Sequence, residues 1–200
     1  MVSRVYLRPF NLADAPTLLK WGQDEYYQRL AGFGHYQNLA EAEVAAGQYA
    51  ARKYSYGICL SNSQQLIGLV ELYNRGTNEE ELLHTKEVGF LLDKDFSGHG
   101  YMTESLKILF DYAFKKLDQS EIWAGTYQNN TRSQNLLARL GFKLVYSVDL
   151  SKVSSLFKYQ EDFFLLKKSG WLDLEQNLNF ERNLLLKIVK NIKTYLLKNA

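Results

Sequence analysis

The sequence predicts a mixed α/β domain of the α+β kind, and three observations carry that reading. The hydrophobic period switches along the chain between two residues and about 3.6 residues, so strands and helices alternate. The middle of the chain reads strand, glycine loop, helix, strand, helix. The composition is that of an ordinary globular protein: 200 residues, 46% hydrophobic and 23% charged, enough for one domain with a full core.

The elements follow in order. Arg4 to Phe10 alternates as a short strand, closed by Pro9. Asn11 or Asp14 offers an N-cap for a helix reaching Trp21. Tyr26 to Tyr36 is aromatic with two glycines and reads as a broken helix or loop. Leu39 to Lys53, rich in Ala and Glu, predicts a helix. Tyr54–Leu60 and Leu66–Tyr73 predict a hairpin around the turn residues of SNSQQ. Asn74 to Thr85 is polar and acidic and reads as a long loop, before an apolar strand over Glu87–Leu92. Thr103 to Leu117 places Leu106, Leu109, Phe110, Ala113 and Leu117 on one helical face. Glu121–Thr126 is a further strand. Asn130 caps a helix over Thr131–Leu140, and Gly141 ends it. Phe142–Leu150 and Leu156–Leu166 predict a closing strand pair.

Residues 171–200 form a separate extension after a domain spanning residues 1–170. Leu185, Ile188, Val189, Ile192 and Leu196 make one apolar stripe with lysines off it. Such a helix packs on the domain or on a second copy of the chain, as in a homodimer. Asp173, Glu175 and Glu181 dilute its positive charge, which argues against a membrane-surface role.

Charge and composition exclude several classes. A formal net charge of +2 lacks the concentrated basic stripe of a nucleic-acid binder. No window approaches the ~20 apolar residues that span a bilayer, and no secretory leader is visible. A single cysteine, Cys59, inside the apolar run YGICL, reads as buried packing in a reducing compartment. Together these predict a cytoplasmic protein.

The stretch DFSGHGYMTES, Asp95 to Ser105, is the most informative in the chain. A strand, a glycine-bearing turn and a helix start make an anion site, because first-turn amides lack internal partners and the helix dipole adds positive charge. The turn is not a Walker loop, since G-x-x-x-x-G-K is absent. It is not a dinucleotide loop either, since Thr103 stands where a third glycine belongs. Gly98, Gly100 and their neighbours up to Thr103 are therefore candidates for holding a phosphate or pyrophosphate. Alone, a plain structural turn is an equal reading.

Two motifs read together decide between them. Gly98-His99-Gly100-Tyr101-Met102-Thr103-Glu104-Ser105 resembles G-K-G-Y-A-T-E-A. About 30 residues on, Asn130, Ser133, Leu137, Gly141 and Phe142 resemble N-x-x-S-x-x-x-L-x-x-x-G-F. Both resemble the Gcn5-related N-acetyltransferase (GNAT) family, most closely its ribosomal-protein N-terminal acetyltransferase branch. The opening YLRPFNLADAPTLLKW is similar to that branch too. The resemblance covers roughly residues 4–171. It departs at Ser97 and Met102, where the broader family reads Q/R-x-x-G-x-G/A; backbone donation needs neither side chain.

The resemblance implies a GNAT fold: a central, mostly antiparallel, V-splayed sheet of about seven strands, flanked by helices. It implies acetyl-CoA as co-substrate and no metal. The pyrophosphate would lie on the amides of Gly98 to Thr103, beside Ser97, with His99 next to the phosphates. The pantetheine arm would run along Phe90, Leu91 and Leu92, held by Asn130. The acceptor would be an amine, at a protein N-terminus or on a small molecule such as a polyamine, attacking directly within a ternary complex. An ammonium must first lose a proton; Glu87 and Glu71 are the candidate strand carboxylates, with His84 a third. Many relatives carry a tyrosine acid where this chain has Leu137, and Ser133 matches the serine assigned that work in the branch. The competing reading is a non-catalytic acyl-CoA-binding or partner-docking module of the same fold.

Overall fold

The computed structural model describes residues 3–149, 152, 160–178 and 180. The chain opens with β1 (Val5–Arg8) and a 3-10 turn, Leu12–Asp14, that feeds α1 (Ala15–Gly22). Asn11 caps the turn: its side chain accepts from the Ala13 N–H at 2.9 Å, and Asp14 reaches back to the Asn11 N–H at 2.9 Å. α2 (Glu25–Ala31) is capped by Asp24 and stopped by Gly32 at φ 59°. α3 (Leu39–Ala51) starts at the cap Asn38. The hairpin of β2 (Ser55–Leu60) and β3 (Leu66–Asn74) follows as expected.

The acidic stretch read as a loop instead contains α4 (Glu79–His84). Asn78 accepts from the Glu81 N–H at 2.9 Å, and Glu79, Glu80 and Glu81 sit at the positive end of the helix dipole. The acids that look like loop composition are first-turn chemistry. β4 (Thr85–Leu92), α5 (Tyr101–Lys115), β5 (Glu121–Tyr127) and α6 (Thr131–Arg139) form the predicted middle. β6 (Lys143–Asp149) and β7 (Gln160–Lys167) close the sheet, and α7 runs over 168–178. Residues 156–159 of the closing strand and the stripe from Leu185 to Leu196 lie outside the described residues.

One seven-stranded sheet runs in the order β1-β2-β3-β4-β5-β7-β6. Every neighbouring pair is antiparallel except β4–β5. That parallel pair holds only over Thr85–Glu87 against Glu121–Trp123, and then the strands part. The splayed, mostly antiparallel sheet is the GNAT architecture. Its cause is local: β7 inserts beside β5, so β5 follows β7 over seven registered pairs and leaves β4.

Two apolar layers hold the sheet. Val88, Ile122, Ala124 and Phe164 meet Leu106, Phe110 and Phe114 of α5 and Leu137 of α6 on one face. On the other, Leu69 and Leu91 meet Leu18 and Trp21 of α1 and Ala42 and Ala46 of α3. Buried Cys59 belongs to this second layer. Trp171 of α7 is buried in the first layer, 5.6 Å from the Phe110 ring, and donates to Asp111 at 3.0 Å. No helix among the described residues is long and apolar enough to cross a membrane.

Candidate active site

Where β4 and β5 part, a cleft of about 600 Å³ passes through the sheet. Strand alternation puts Val88, Phe90, Leu92 and Thr126 on the α5–α6 face and Gly89, Leu91, Gly125 and Tyr127 on the α2 face. Residues of both sets line the cleft. It therefore has two mouths, one toward the start of α5 and one under α2.

The α5 mouth carries the glycine loop. Gly98 and Gly100 have φ of 84° and 80°, the left-handed region where a side chain is strained. Gly100 is the helix N-cap and has no side chain to close the first turn, so the amides of Tyr101, Met102 and Thr103 stay open toward the cleft. Arg4, the residue before β1, fixes the loop. It donates to the His99 carbonyl at 3.1 Å and to Glu104 at 2.9 Å, and lies over the Tyr101 ring. The His99 ring stacks on Tyr101. Ser97, Gly98, Gly100, Tyr101, Met102 and Thr103 line the cleft; His99 does not.

The sides come from the parted strands and α6. Phe90, Leu91 and Leu92 line the cleft with their β5-facing edge unpaired by any strand. Asn130 accepts from the Ser133 N–H at 3.1 Å and donates to the Leu30 carbonyl of α2 at 3.1 Å, so one side chain caps α6 and ties it across the cleft. Ser133 is half-buried on the same wall. Leu137 is fully buried in the core, away from the cleft.

The two strand carboxylates sit elsewhere. Glu71 is buried and accepts from Arg52 at 2.9 Å and from the Tyr73 hydroxyl. Glu87 is ion-paired with Arg75. Neither lines the cleft. His84 caps no site feature: it approaches the Asp118 carbonyl at 3.3 Å, off the cleft.

The sequence points to the Tyr26–Tyr36 segment and the final hairpin as walls of the acceptor pocket, and Tyr26, Tyr27, Leu30 and Glu161 of those segments line the cleft; Thr126, Arg132 and Arg139 line it too and were not singled out. Arg132 and Arg139, seven apart, share a face of α6; that spacing was the available signal. For Glu161 the signal was a charge in strand period with Phe163 and Leu165. Burial raises the Glu161 carboxyl pKa above its ordinary value, Glu87 adds to the rise, and Arg75 opposes it. The Tyr27 hydroxyl is pushed up to about 12 by burial. Thr126 Oγ1 is buried with no hydrogen-bond partner among the described residues. No group of three His, Cys, Asp or Glu among them could hold a metal ion.

A splayed sheet with an open helix start at the split defines an acetyltransferase of the GNAT class. Residues 4–143 match the family model "Acetyltransferase (GNAT) domain", and the chain belongs to that family. It is an acyltransferase, in a family whose members use acetyl-CoA. The chain is 29% identical over 149 residues to the probable N-acetyltransferase YjcK of Bacillus subtilis, covering 69% of this chain and 80% of that protein. A GNAT-family acetyltransferase structure from Bacillus anthracis superposes with a TM-score of 0.72 at 17% identity, over 84% of this chain and 98% of that one. The ribosomal-protein-S5-alanine acetyltransferase of Vibrio fischeri gives 0.67 at 18%, over 86% and 97%. At these identities the structures speak for the fold.

Proposed function

We propose that the protein transfers the acetyl group of acetyl-CoA to a primary amine, at a protein N-terminus or on a small molecule, within a ternary complex in this cleft. The observation that carries the reading is the open first turn of α5 at the point where β4 and β5 part. Unpaired amides there suit a diphosphate. The unpaired edge at Phe90, Leu91 and Leu92 suits the amides of a pantetheine arm, and the orphaned Thr126 hydroxyl offers that arm a partner. The residues present therefore fit the co-substrate.

Acetyl-CoA supplies an activated thioester; the chain supplies position and polarity. The amides from Gly98 to Thr103 hold the diphosphate, with Ser97 flanking; the His99 side chain, off the cleft, backs the turn by stacking on Tyr101. Asn130 ties α6 to α2 while capping α6, and so fixes the wall beside which the arm would lie. Ser133, on the cleft wall, donates a hydrogen bond where negative charge gathers on sulfur. A main-chain N–H of Phe90 to Leu92 stabilises the carbonyl oxygen. Glu71 and Glu87 are each committed to an arginine, so neither offers the cleft a free carboxylate.

Calorimetry with CoA and acetyl-CoA tests the reading. Association at a one-to-one ratio is expected, together with amine-dependent thiol release. A folded protein that takes up neither ligand would overturn it.

A further inference from the structure

The acceptor side of the cleft contains one carboxylate that no structural role accounts for. Glu161 lies on β7, opposite Tyr127 of β5. Among the described residues, no hydrogen bond or ion pair reaches its side chain, although it lines the cleft at the split. Its place is prepared by the neighbouring strand. A Cβ on Gly125 would stand 2.5 Å from Glu161 Oε1, so the carboxylate lies over Gly125 only because that residue has no side chain. Both residues project to the α2 face, opposite the α5 mouth.

The surroundings are those of a cation site. Arg75 lies behind, 4.6 Å from the Trp123 ring centre and 5.1 Å from that of Phe163. It is paired with Glu87 and donates to the Tyr146 hydroxyl at 2.6 Å. Glu87 therefore takes Arg75 as its ion-pair partner, and Arg75 offsets the Glu161 charge only in part. The groups facing Glu161 are Tyr127 of β5, Glu87 of β4, Arg75 after β3, and Tyr146 of β6 through Arg75.

We propose that Glu161 binds the acceptor as its ammonium ion and takes the proton that must leave before attack, an assignment that rests on the acetyl-transfer reading above. The acceptor is thus a cationic primary amine entering under α2. The proton passes from nitrogen to the Glu161 carboxylate, freeing the nitrogen lone pair. That pair forms the N–C bond to the acetyl carbon, and the C–S bond breaks with its electrons on sulfur. A second proton leaves nitrogen and restores the thiol. Glu161 returns its proton to water through the open mouth. The raised carboxyl pKa fits the work, because a base poised closer to neutrality is the stronger proton acceptor.

The test compares wild type with E161Q and G125A, using acetyl-CoA with butylamine, spermidine and a short peptide with a free N-terminus. Thiol release by E161Q should fall roughly a hundred- to ten-thousand-fold at neutral pH. Its CoA dissociation constant should stay within threefold, since Glu161 lies away from the loop. E161Q should regain rate as pH rises toward the amine's own pKa, where the amine loses its proton unaided; a purely structural residue would show no such recovery. G125A keeps the carboxylate but displaces it, and should lose kcat with CoA binding retained. Near-wild-type turnover in E161Q, or a loss without alkaline recovery, would overturn the proposal, whereas no amine-dependent release by the wild type with any of the three amines would overturn it together with the acetyl-transfer reading. Failure of wild type to bind acetyl-CoA would instead remove the reading beneath it.

Discussion

Gly100 shows how much a single residue decides at this site. Its φ of 80° is costly for any side chain, and a Cβ would approach Arg4 Nη2 at 3.4 Å. Gly100→Ala should therefore lower stability by about 1 kcal/mol, as expected for a non-glycine residue forced into that region. Affinity for CoA should fall about tenfold or more, because the first-turn amides turn with the residue. Chemical denaturation and calorimetry on one preparation separate the two effects; unchanged CoA affinity would show that the loop does not hold the diphosphate. The glycines were legible in the sequence because their conformation and their function are both local. Glu161 was not, because it is a cleft residue only through pairing with Tyr127, 34 positions earlier. Glu71 and Glu87 were legible as strand carboxylates, but their arginine partners, Arg52 and Arg75, were not. Charge partners at a distance leave no mark on the period of a strand.

At the scale of elements, the aim of the glycine loop depends on how β4 ends. Asp93 follows the strand and is buried. It accepts from Lys20 at 2.9 Å, from the Trp21 indole at 3.0 Å and from the Asp95 N–H at 3.1 Å. The Tyr27 hydroxyl in turn accepts from the Lys94 N–H at 2.8 Å. α1 and α2 thus fix the strand exit from below. Burial alone would raise the Asp93 pKa; the Trp21, Lys20 and Asp95 donors reverse the sign, and the carboxyl sits below its ordinary value. A depressed pKa contributes stability above the unfolded value of about 3.9, and that stability is lost as pH falls through the lower folded value. Asp93→Asn should cost about 1–3 kcal/mol at pH 7 by weakening the acceptor of buried donors. Its deficit against wild type should narrow as pH is lowered below about 4. Urea titrations across that range measure it; a deficit independent of pH would show that the charge is not what holds the strand. The elements themselves were readable from period and caps, as Asn38 and Asn130 show. α4 was misread because three consecutive glutamates resemble solvated loop until Asn78 is seen as the cap beneath them.

The whole molecule is two half-sheets meeting at one weak seam. β1 to β4 carry α1 to α3 on one side, and β5 to β7 carry α6 and the buried Trp171 on the other. Between the halves, β4 and β5 share three registered pairs; α5, whose Leu106 and Phe110 are buried in the common layer, supplies the rest of the joint. A sheet that pairs fully would be stiffer but would have no cleft, so the seam is where function departs from maximal stability. A ligand seated there touches both halves and should tie them together. At a concentration one hundred times its dissociation constant, CoA should stabilise the fold by about 2.7 kcal/mol. For a chain of this size, that corresponds to a rise in melting temperature of roughly 5–11 °C. Amide exchange should locate the effect. Protection should grow at residues 88–92 and 124–127, on the two sides of the split, and at the start of α5, while the β2–β3 hairpin changes little. Added protection confined to the α5 turn would mean that the diphosphate alone is held, and that the parted strands do not grip the arm.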